Sequence, residues 1–516
     1  MNILNSILLK CSSSLLKELD LGRRDPMPYQ MKWLEYLIEN GKRTAFGAEH
    51  GFEKIKSLKD FQQRVPVLDY NKTAPYIHRI LEGEQNILWN KPVRMFAKSS
   101  GTSSDKSKFI PITEESLQTT HYGGFKRMMA NYIHNNPRSR IFKGKALTLG
   151  GSVSPDKSGK MIIGDLSALL LHNSPAIVEL LRTPHRKIAL MGDFNSKLDA
   201  ICKECTNLDV TNFSGVPSWN LILLNRILEY TGKSNIHQVW PNMEMFAHGG
   251  TGFEPYRAIF QKLIPGPHMH YIENYNASEG YFAFQDEENS SSMLLTVNNG
   301  IFYEFIPMDI LDDVIEGRIK EIPTLAEVQT GVNYAVVIST IGGLWRYLIG
   351  DCVQFTSTYP HKIIITGRTQ LCINAFGEEL MIANAEQALS MACTKCSCSV
   401  TDFTVAPVFM ELGQDSKATK GYHKWAVEFA DTPADIAQFA SELDHSLTTL
   451  NSDYEAKRAG NATMQQLEIV PLSNGTFLKW MESRGKIGGQ NKVPRLHHND
   501  RFIKELEEIQ HKLYGN

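Results

Sequence analysis

The chain has 516 residues, 42% hydrophobic and 21% charged, which is the balance of a soluble globular protein too long for a single core. Its 54 basic and 56 acidic side chains leave a net charge of −2. Composition therefore gives no electrostatic case for a nucleic-acid or membrane partner, and no apolar run approaches the roughly 20 residues a membrane helix needs.

Met1–Ser14 has a broken apolar run, no basic n-region and no small-residue cleavage site. It reads as the start of an amphipathic helix and predicts a cytosolic, cytoplasmic protein. Met31, Leu34, Leu37 and Ile38 share one helical face that Gly41 ends, and a second helical stretch runs from Ile55 to Phe61 before Pro66. Val93–Ala97 and Phe109–Ile112 are short β-favouring runs, and Glu114 and Glu115 open a helix. Ala146–Leu149 and Met245–Ala247 read as strands ending in glycine turns, the second running into His248, Gly249 and Gly250. Pro217 and Ser218 start an apolar helix that Gly232 caps. A strand is predicted at His270–Glu273. Leu294–Val297 and Ile301–Ile306 read as a hairpin about Asn298-Asn299-Gly300. Tyr334–Ser339 and Ile363–Thr366 are further strands, after which the pattern becomes that of a compact α+β unit. The predicted boundary near Gly367–Gln370 separates residues 1–368 from 369–516. Repeated strand-then-glycine endings point to one cleft at the carboxyl ends of an α/β sheet.

Between the two runs at 93–97 and 109–112 lie Ser99, Ser100, Gly101, Thr102, Ser103 and Ser104, then Asp105, Lys106 and Lys108. Gly101 lets successive N–H groups converge, the hydroxyls add rotatable donors and the lysines add charge. That combination suits a phosphate, although a polar hairpin tip has the same composition. A P-loop is excluded, because that motif runs into a helix and here a strand follows. Three further stretches carry chemistry. Tyr275–Gly280 brings together an aromatic able to stack on a purine, Ser278, and Glu279, a carboxylate suited to Mg²⁺. Asp351 follows Gly350 in an apolar setting and could accept bonds from vicinal ribose hydroxyls, with Arg368 within reach of the same sugar. Lys492 lies in a glycine-flanked basic loop that could meet developing negative charge. Each also reads as an ordinary turn or exposed residue when taken alone.

Taken in order, SSGTSSDKSKFIPIT (99–113), YNASEG (275–280), LWRYLIGDCV (344–353), ITGR (365–368), NAFGEEL (374–380) and GGQNKVPRL (488–496) resemble the acyl-acid amido synthetases of the auxin-responsive (Gretchen Hagen) family. GVPSW (215–219) and VWPNMEMF (239–246) look like its bacterial branch. The resemblance spans nearly the whole chain. It implies the adenylate-forming fold, with a large multi-layer α/β N-terminal domain and a small, mobile α+β C-terminal domain. It implies ATP and Mg²⁺, a carboxylic-acid substrate activated as acyl-AMP, and an amine acceptor, typically an amino acid. By motif, Ser99, Ser100, Gly101, Thr102, Ser103 and Lys108 match the phosphate loop. Tyr275 and Ser278 match the adenine side, and Glu279 the metal ligand. Asp351 and Arg368 match the ribose positions, and Lys492 the lysine of the adenylation step, while Gly249 and Gly250 line the cleft. Asn491 departs from the family's usual aromatic.

Three other readings share parts of this pattern. Thioester formation with coenzyme A uses the same first half-reaction. A catalytically silent acyl- or nucleotide-binding protein would keep the fold. Cys202, Cys205, Cys393, Cys396 and Cys398 could together supply a zinc site, although irregular spacing favours reduced thiols.

Overall fold

The computed structural model describes residues 12–99, 108–151, 153–155, 161–369, 372–409, 420–461, 463–484 and 493–514. Fifteen of the described strands build two sheets before residue 369. They are β1 (Met95–Ser99), β2 (Lys108–Ile112), β3 (Lys145–Thr148), β4 (Val153–Pro155), β5 (Ile162–Gly164), β6 (Arg182–Thr183), β7 (Val210–Gly215) and β8 (Met245–His248). There follow β9 (His270–Ala277), β10 (Gly280–Phe284), β11 (Met293–Leu295), β12 (Ile301–Pro307), β13 (Asn333–Thr340), β14 (Tyr347–Thr358) and β15 (His361–Arg368).

The large sheet has the order β12-β13-β14-β15-β11-β10-β9-β8-β7-β3-β6. From β9 to β6 neighbours run parallel, and from β9 to β12 they run antiparallel. The parallel half has helices such as Pro217–Thr231 and Glu254–Leu263 between its strands, and β8 is buried at all four positions. That is the pattern of strands covered on both faces. Because β7, β8 and β9 are parallel, their carboxyl ends lie at one edge, where Gly215, His248 and Ala277 end them.

The small sheet, β2-β1-β5-β4, carries the predicted hydroxyl-loop hairpin. Strands β1 and β2 pair antiparallel from Met95↔Ile112 to Ser99↔Lys108, so both ends of the intervening loop leave from one rung. Ala97, Ile110 and Ile112 of this sheet pack in one apolar cluster with Tyr275, Phe282, Tyr347 and Ile349 of the large sheet. The helix predicted at Glu114 is capped by Thr113, whose hydroxyl accepts from Ser116 N at 3.0 Å while Ser116 Oγ accepts from Thr113 N at 3.0 Å. It continues through a π-helical stretch to Asn135.

The expected hairpin at 294–306 does not form. Strand β11 pairs with β10 and β15, and β12 pairs with β13, three strands away. Asn298-Asn299-Gly300 serves a crossover whose polar groups are met by side chains. Arg127 Nη2 donates to Asn298 O at 2.7 Å, Thr120 Oγ1 to Asn299 O at 2.7 Å, and Asn299 Nδ2 to Tyr281 O at 2.6 Å. Those bonds replace the ones a hairpin ladder would make. The second N-terminal helix runs Leu58–Arg64, because the Ser57 hydroxyl accepts from Asp60 N at 3.1 Å and fixes its start.

After residue 371 come β16 (Cys372–Ile373) and β17 (Leu380–Met381), then a sheet of β18 (Ser399–Val408), β19 (Tyr422–Asp431) and β20 (Glu468–Leu472) in that order. Helices Ile382–Cys396 and Ile436–Leu450 pack with Phe403, Trp425 and Val427, whereas Thr476–Ser483 and Arg501–Tyr514 pack with Ala406, Ala426 and Leu472. Alternation along β18 and β19 thus feeds two layers, an α+β unit. The first of those clusters is continuous with Phe213 and Phe246 of the large sheet and Leu221 of the helix Pro217–Thr231, and Tyr256 donates to Ala375 O at 2.7 Å. Among the described residues, no helix is long and apolar enough to cross a membrane.

Candidate active site

Strand β9 runs on through Tyr275 to Ala277 and turns back into β10 through Ser278 and Glu279 alone. The two residues sit at the tip of a tight hairpin, both half-buried. Burial raises the pKa of Glu279, and the charge of Lys108 is the first influence opposing it. Lys108, the first residue of β2, is 6% exposed. Its ammonium lies 5.8 Å from the centre of the Tyr70 ring, whose hydroxyl accepts from Phe109 N at 2.9 Å. Burial lowers the Lys108 pKa, and Glu279, Glu379 and Asp351 work against that.

On the antiparallel half, Asp351 of β14 stands directly across from Arg368 of β15. Arg368 Nη1 donates to Asp351 Oδ1 at 2.6 Å, and the Tyr275 hydroxyl donates to Oδ2 at 2.5 Å. Burial, followed by the Asp351 charge, holds the Tyr275 phenol well above its usual pKa, so it stays a donor. Its ring packs on Phe282 with centroids 4.7 Å apart and is itself core. What Tyr275 turns towards Asp351 is its hydroxyl rather than a face. Arg368 reaches further, with Nη2 3.3 Å from Glu379 Oε1 and Oε2. Glu379 has no role in the sequence reading, although it lies in the 374–380 motif. Its adjacency to Glu378 is the one signal that could have marked it, and only the fold separates them. Glu378 is fully buried, accepts from Ala375 N and Phe376 N, and meets His423 Nε2 at 2.7 Å.

Gly249 and Gly250 follow β8 at the same edge. A Cβ on Gly249 would stand 2.3 Å from Asn274 O, so only glycine lets this turn lie against β9. Gly250 has φ +82°, in the left-handed region. Asn274 Nδ2 donates to His248 O at 2.9 Å and ties the two strand ends.

The structure therefore brings Lys108, Tyr275, Glu279, Asp351 and Arg368 into one electrostatic neighbourhood. Ser99 ends β1 on the rung it shares with Lys108. Ser100, Gly101, Thr102, Ser103 and Lys492 lie outside the described residues. The segment after Lys492 is held against β18, with Val405 N donating to Arg495 O at 2.8 Å and His497 N to Val405 O at 2.9 Å. Cys202 and Cys205 are buried in the helix Phe194–Cys205, where burial pushes their thiols up to about 11 and about 12. Among the described residues no three His, Cys, Asp or Glu side chains converge as a metal site.

This cleft belongs to a chain with extensive likeness to known proteins. Residues 15–269 match the GH3 family N-terminal domain, 294–368 its central domain and 383–501 its C-terminal domain. An indole-3-acetic acid-amido synthetase, GH3.3 of Arabidopsis thaliana, is 24% identical over 90% of this chain and 88% of its own. The jasmonoyl–L-amino acid synthetase JAR4 of Nicotiana attenuata is 23% identical over 93% of each chain. A solved structure, the acyl acid amido synthetase AtGH3.15 in complex with 2,4-DB, superposes with a TM-score of 0.61 at 18% identity, covering 96% of both chains. With all three family domains matched in order and the fold shared from end to end, the chain belongs to the GH3 family.

Proposed function

We propose that this protein is an ATP-dependent acyl-acid amido synthetase. In the first half-reaction a carboxylate oxygen of the acid attacks the α-phosphorus of ATP. The bond to the bridging β-phosphate oxygen breaks, and pyrophosphate leaves acyl-AMP behind. In the second, an amine, that of an amino acid in this reading, attacks the acyl carbonyl. The C–N bond forms, AMP departs with the electron pair of the C–O bond, and the amine proton is lost to solvent.

One observation carries this reading. Lys108, Glu279, Asp351 and Arg368 converge where the hairpin bearing the hydroxyl loop meets the strand ends of the large sheet, in a chain of the GH3 family. Asp351 receives the ribose hydroxyls, with Arg368 and Tyr275 holding its carboxylate in place. Ser278 lies on the adenine side. Lys108, with Ser99–Ser103, faces the phosphates. Lys492 stabilises charge at the α-phosphate. Such positioning and charge stabilisation need no nucleophilic side chain. A single half-buried carboxylate at a hairpin tip suits Mg²⁺ arriving with ATP, since that ion takes few protein ligands and keeps phosphate oxygens and waters. Glu279 would hold it, and when bound it screens phosphate charge. The two bodies divide as 1–368 and 369–516, with the hinge at Gly367–Gln370. A cytoplasmic site accords with the use of ATP.

The test is pyrophosphate exchange from ATP across a broad panel of carboxylic acids, followed by product analysis with amino acids and with coenzyme A. Acid-dependent exchange and an amide product are expected. A thioester without an amide would replace this reading, and silence with every acid would leave a binding protein.

A further inference from the structure

Lys457 lies on the helix Ser452–Arg458 of the C-terminal unit, and its Nζ stands 4.7 Å from the centre of the Trp219 ring. Trp219 belongs to the helix Pro217–Thr231, which starts beyond the carboxyl end of β7 beside Gly250, where a Cβ would lie 3.3 Å from Val216 Cγ2. The ammonium therefore reaches from one unit onto the sheet edge that the other unit presents. Gly377 leaves it room, since a Cβ there would lie 2.9 Å from Lys457 Cε and 3.3 Å from Nζ.

Among the described residues, none gives the Lys457 ammonium an ion pair or a hydrogen bond, and its backbone carbonyl alone accepts, from Thr463 N and Met464 N. Two of the nearby acids have other partners: Glu378 is bound by two backbone N–H groups and His423, and Glu379 by Arg368. Burial lowers the Lys457 pKa, and the charges of Asp453, Asp165, Glu378 and Glu379 oppose this through space. An ammonium resting on an indole face is attracted by the ring and keeps its N–H donors unused, because the surrounding carboxylates act on it only through space. A carboxylate completes it. The acyl acid loses its carboxylate charge when acyl-AMP forms, whereas an amino-acid acceptor keeps its own while its amine attacks.

We propose that Lys457 binds the α-carboxylate of the incoming amino acid and so selects amino acids over simple amines. This rests on the amido-synthetase reading. The test uses the full-length enzyme with an acid that supports pyrophosphate exchange, and compares the best-coupled amino acid with its carboxamide. Lys457→Met should raise KM for the amino acid about tenfold or more, the scale of one lost charge-assisted bond. It should leave KM for the carboxamide, and pyrophosphate exchange, within about twofold, while Lys457→Arg recovers most of the loss. An unchanged KM for the amino acid, an equal loss with both acceptors, or loss of exchange would overturn the assignment. Absence of exchange in the unaltered enzyme would overturn the ligase reading beneath it, a different pattern.

Discussion

Asp351 and Arg368 are cross-strand partners whose contact, at 2.6 Å, uses only one lone pair of one carboxylate oxygen. Tyr275 uses one on the other oxygen, at 2.5 Å. Each oxygen keeps acceptor capacity for one hydroxyl, which is what a ribose with two vicinal hydroxyls requires. Two donors from separate strands fix the carboxylate before any ligand arrives.

Asp351→Asn keeps the shape but withdraws the charge and half of the acceptors. KM for ATP should rise roughly tenfold to a hundredfold, corresponding to about 1.5–3 kcal/mol for bonds to a charged group. KM for the acid should change little. Steady-state titration of both substrates checks this, and an unaltered ATP value would remove Asp351 from the nucleotide site.

Lys108 has its pKa lowered by burial, so it loses its proton at a lower pH than a free lysine. Adenylation should therefore decline on the alkaline side below the usual lysine range, and Lys108→Arg should move that limb upward. Lys108→Met and Lys492→Ala should each slow pyrophosphate exchange about a hundredfold or more. Lys492→Ala should leave ATP binding intact, as calorimetry would register. Unchanged exchange would end the role given to Lys492.

Arg346 stands in the same motif as Asp351 yet serves stability. It is fully buried, contacts Glu304 through Nε and through Nη2 at 2.9 Å, and donates to Gln62 O, Val65 O and Lys320 O. Arg346→Met strands the Glu304 charge and three carbonyls, which should cost about 3–5 kcal/mol. Urea unfolding would show the midpoint fall. A loss under about 1 kcal/mol would contradict the buried-network account.

His121 and His248 are buried, and burial holds their pKa values at about 4 and about 3. Both values are depressed below the unfolded 6.5, so the unfolded chain takes up protons first as pH falls. Stability is full above pH 6.5 and is lost between there and about 4, by roughly 3 kcal/mol for His121. Denaturant midpoints between pH 7 and 5 should slope accordingly, and His121→Gln should flatten the slope by about one proton. A parallel slope in that variant would exclude His121 as a source.

Much of this architecture was legible because it is local. Glycines after β8, the Pro217 start and Gly232 stop, and the paired runs about the hydroxyl loop each encode their own element. Asn298-Asn299-Gly300 misled because turn chemistry is equally suited to a crossover, and the choice rests on partners such as Arg127 and Thr120. Ser278 and Glu279 lie beyond the strand predicted at His270–Glu273, and the hairpin they tip depends on β10 pairing back. The bond from Tyr275 to Asp351 spans 76 positions, and Glu304 to Arg346 spans 42, separations at which no periodicity reports contact.

The hydroxyl-loop hairpin and Asp351 stand on different sheets, joined through an apolar layer that includes Ala97, Ile110, Phe282 and Ile349. The cleft is in effect a caliper: one jaw ends in Ser99 and Lys108, the other in Asp351 and Arg368, and the gap is a matter of core volume. An added methyl at Ala97, which is fully buried, would have to be taken up by that layer. The reach from ribose to phosphate is thus gauged by side chains that no ligand meets.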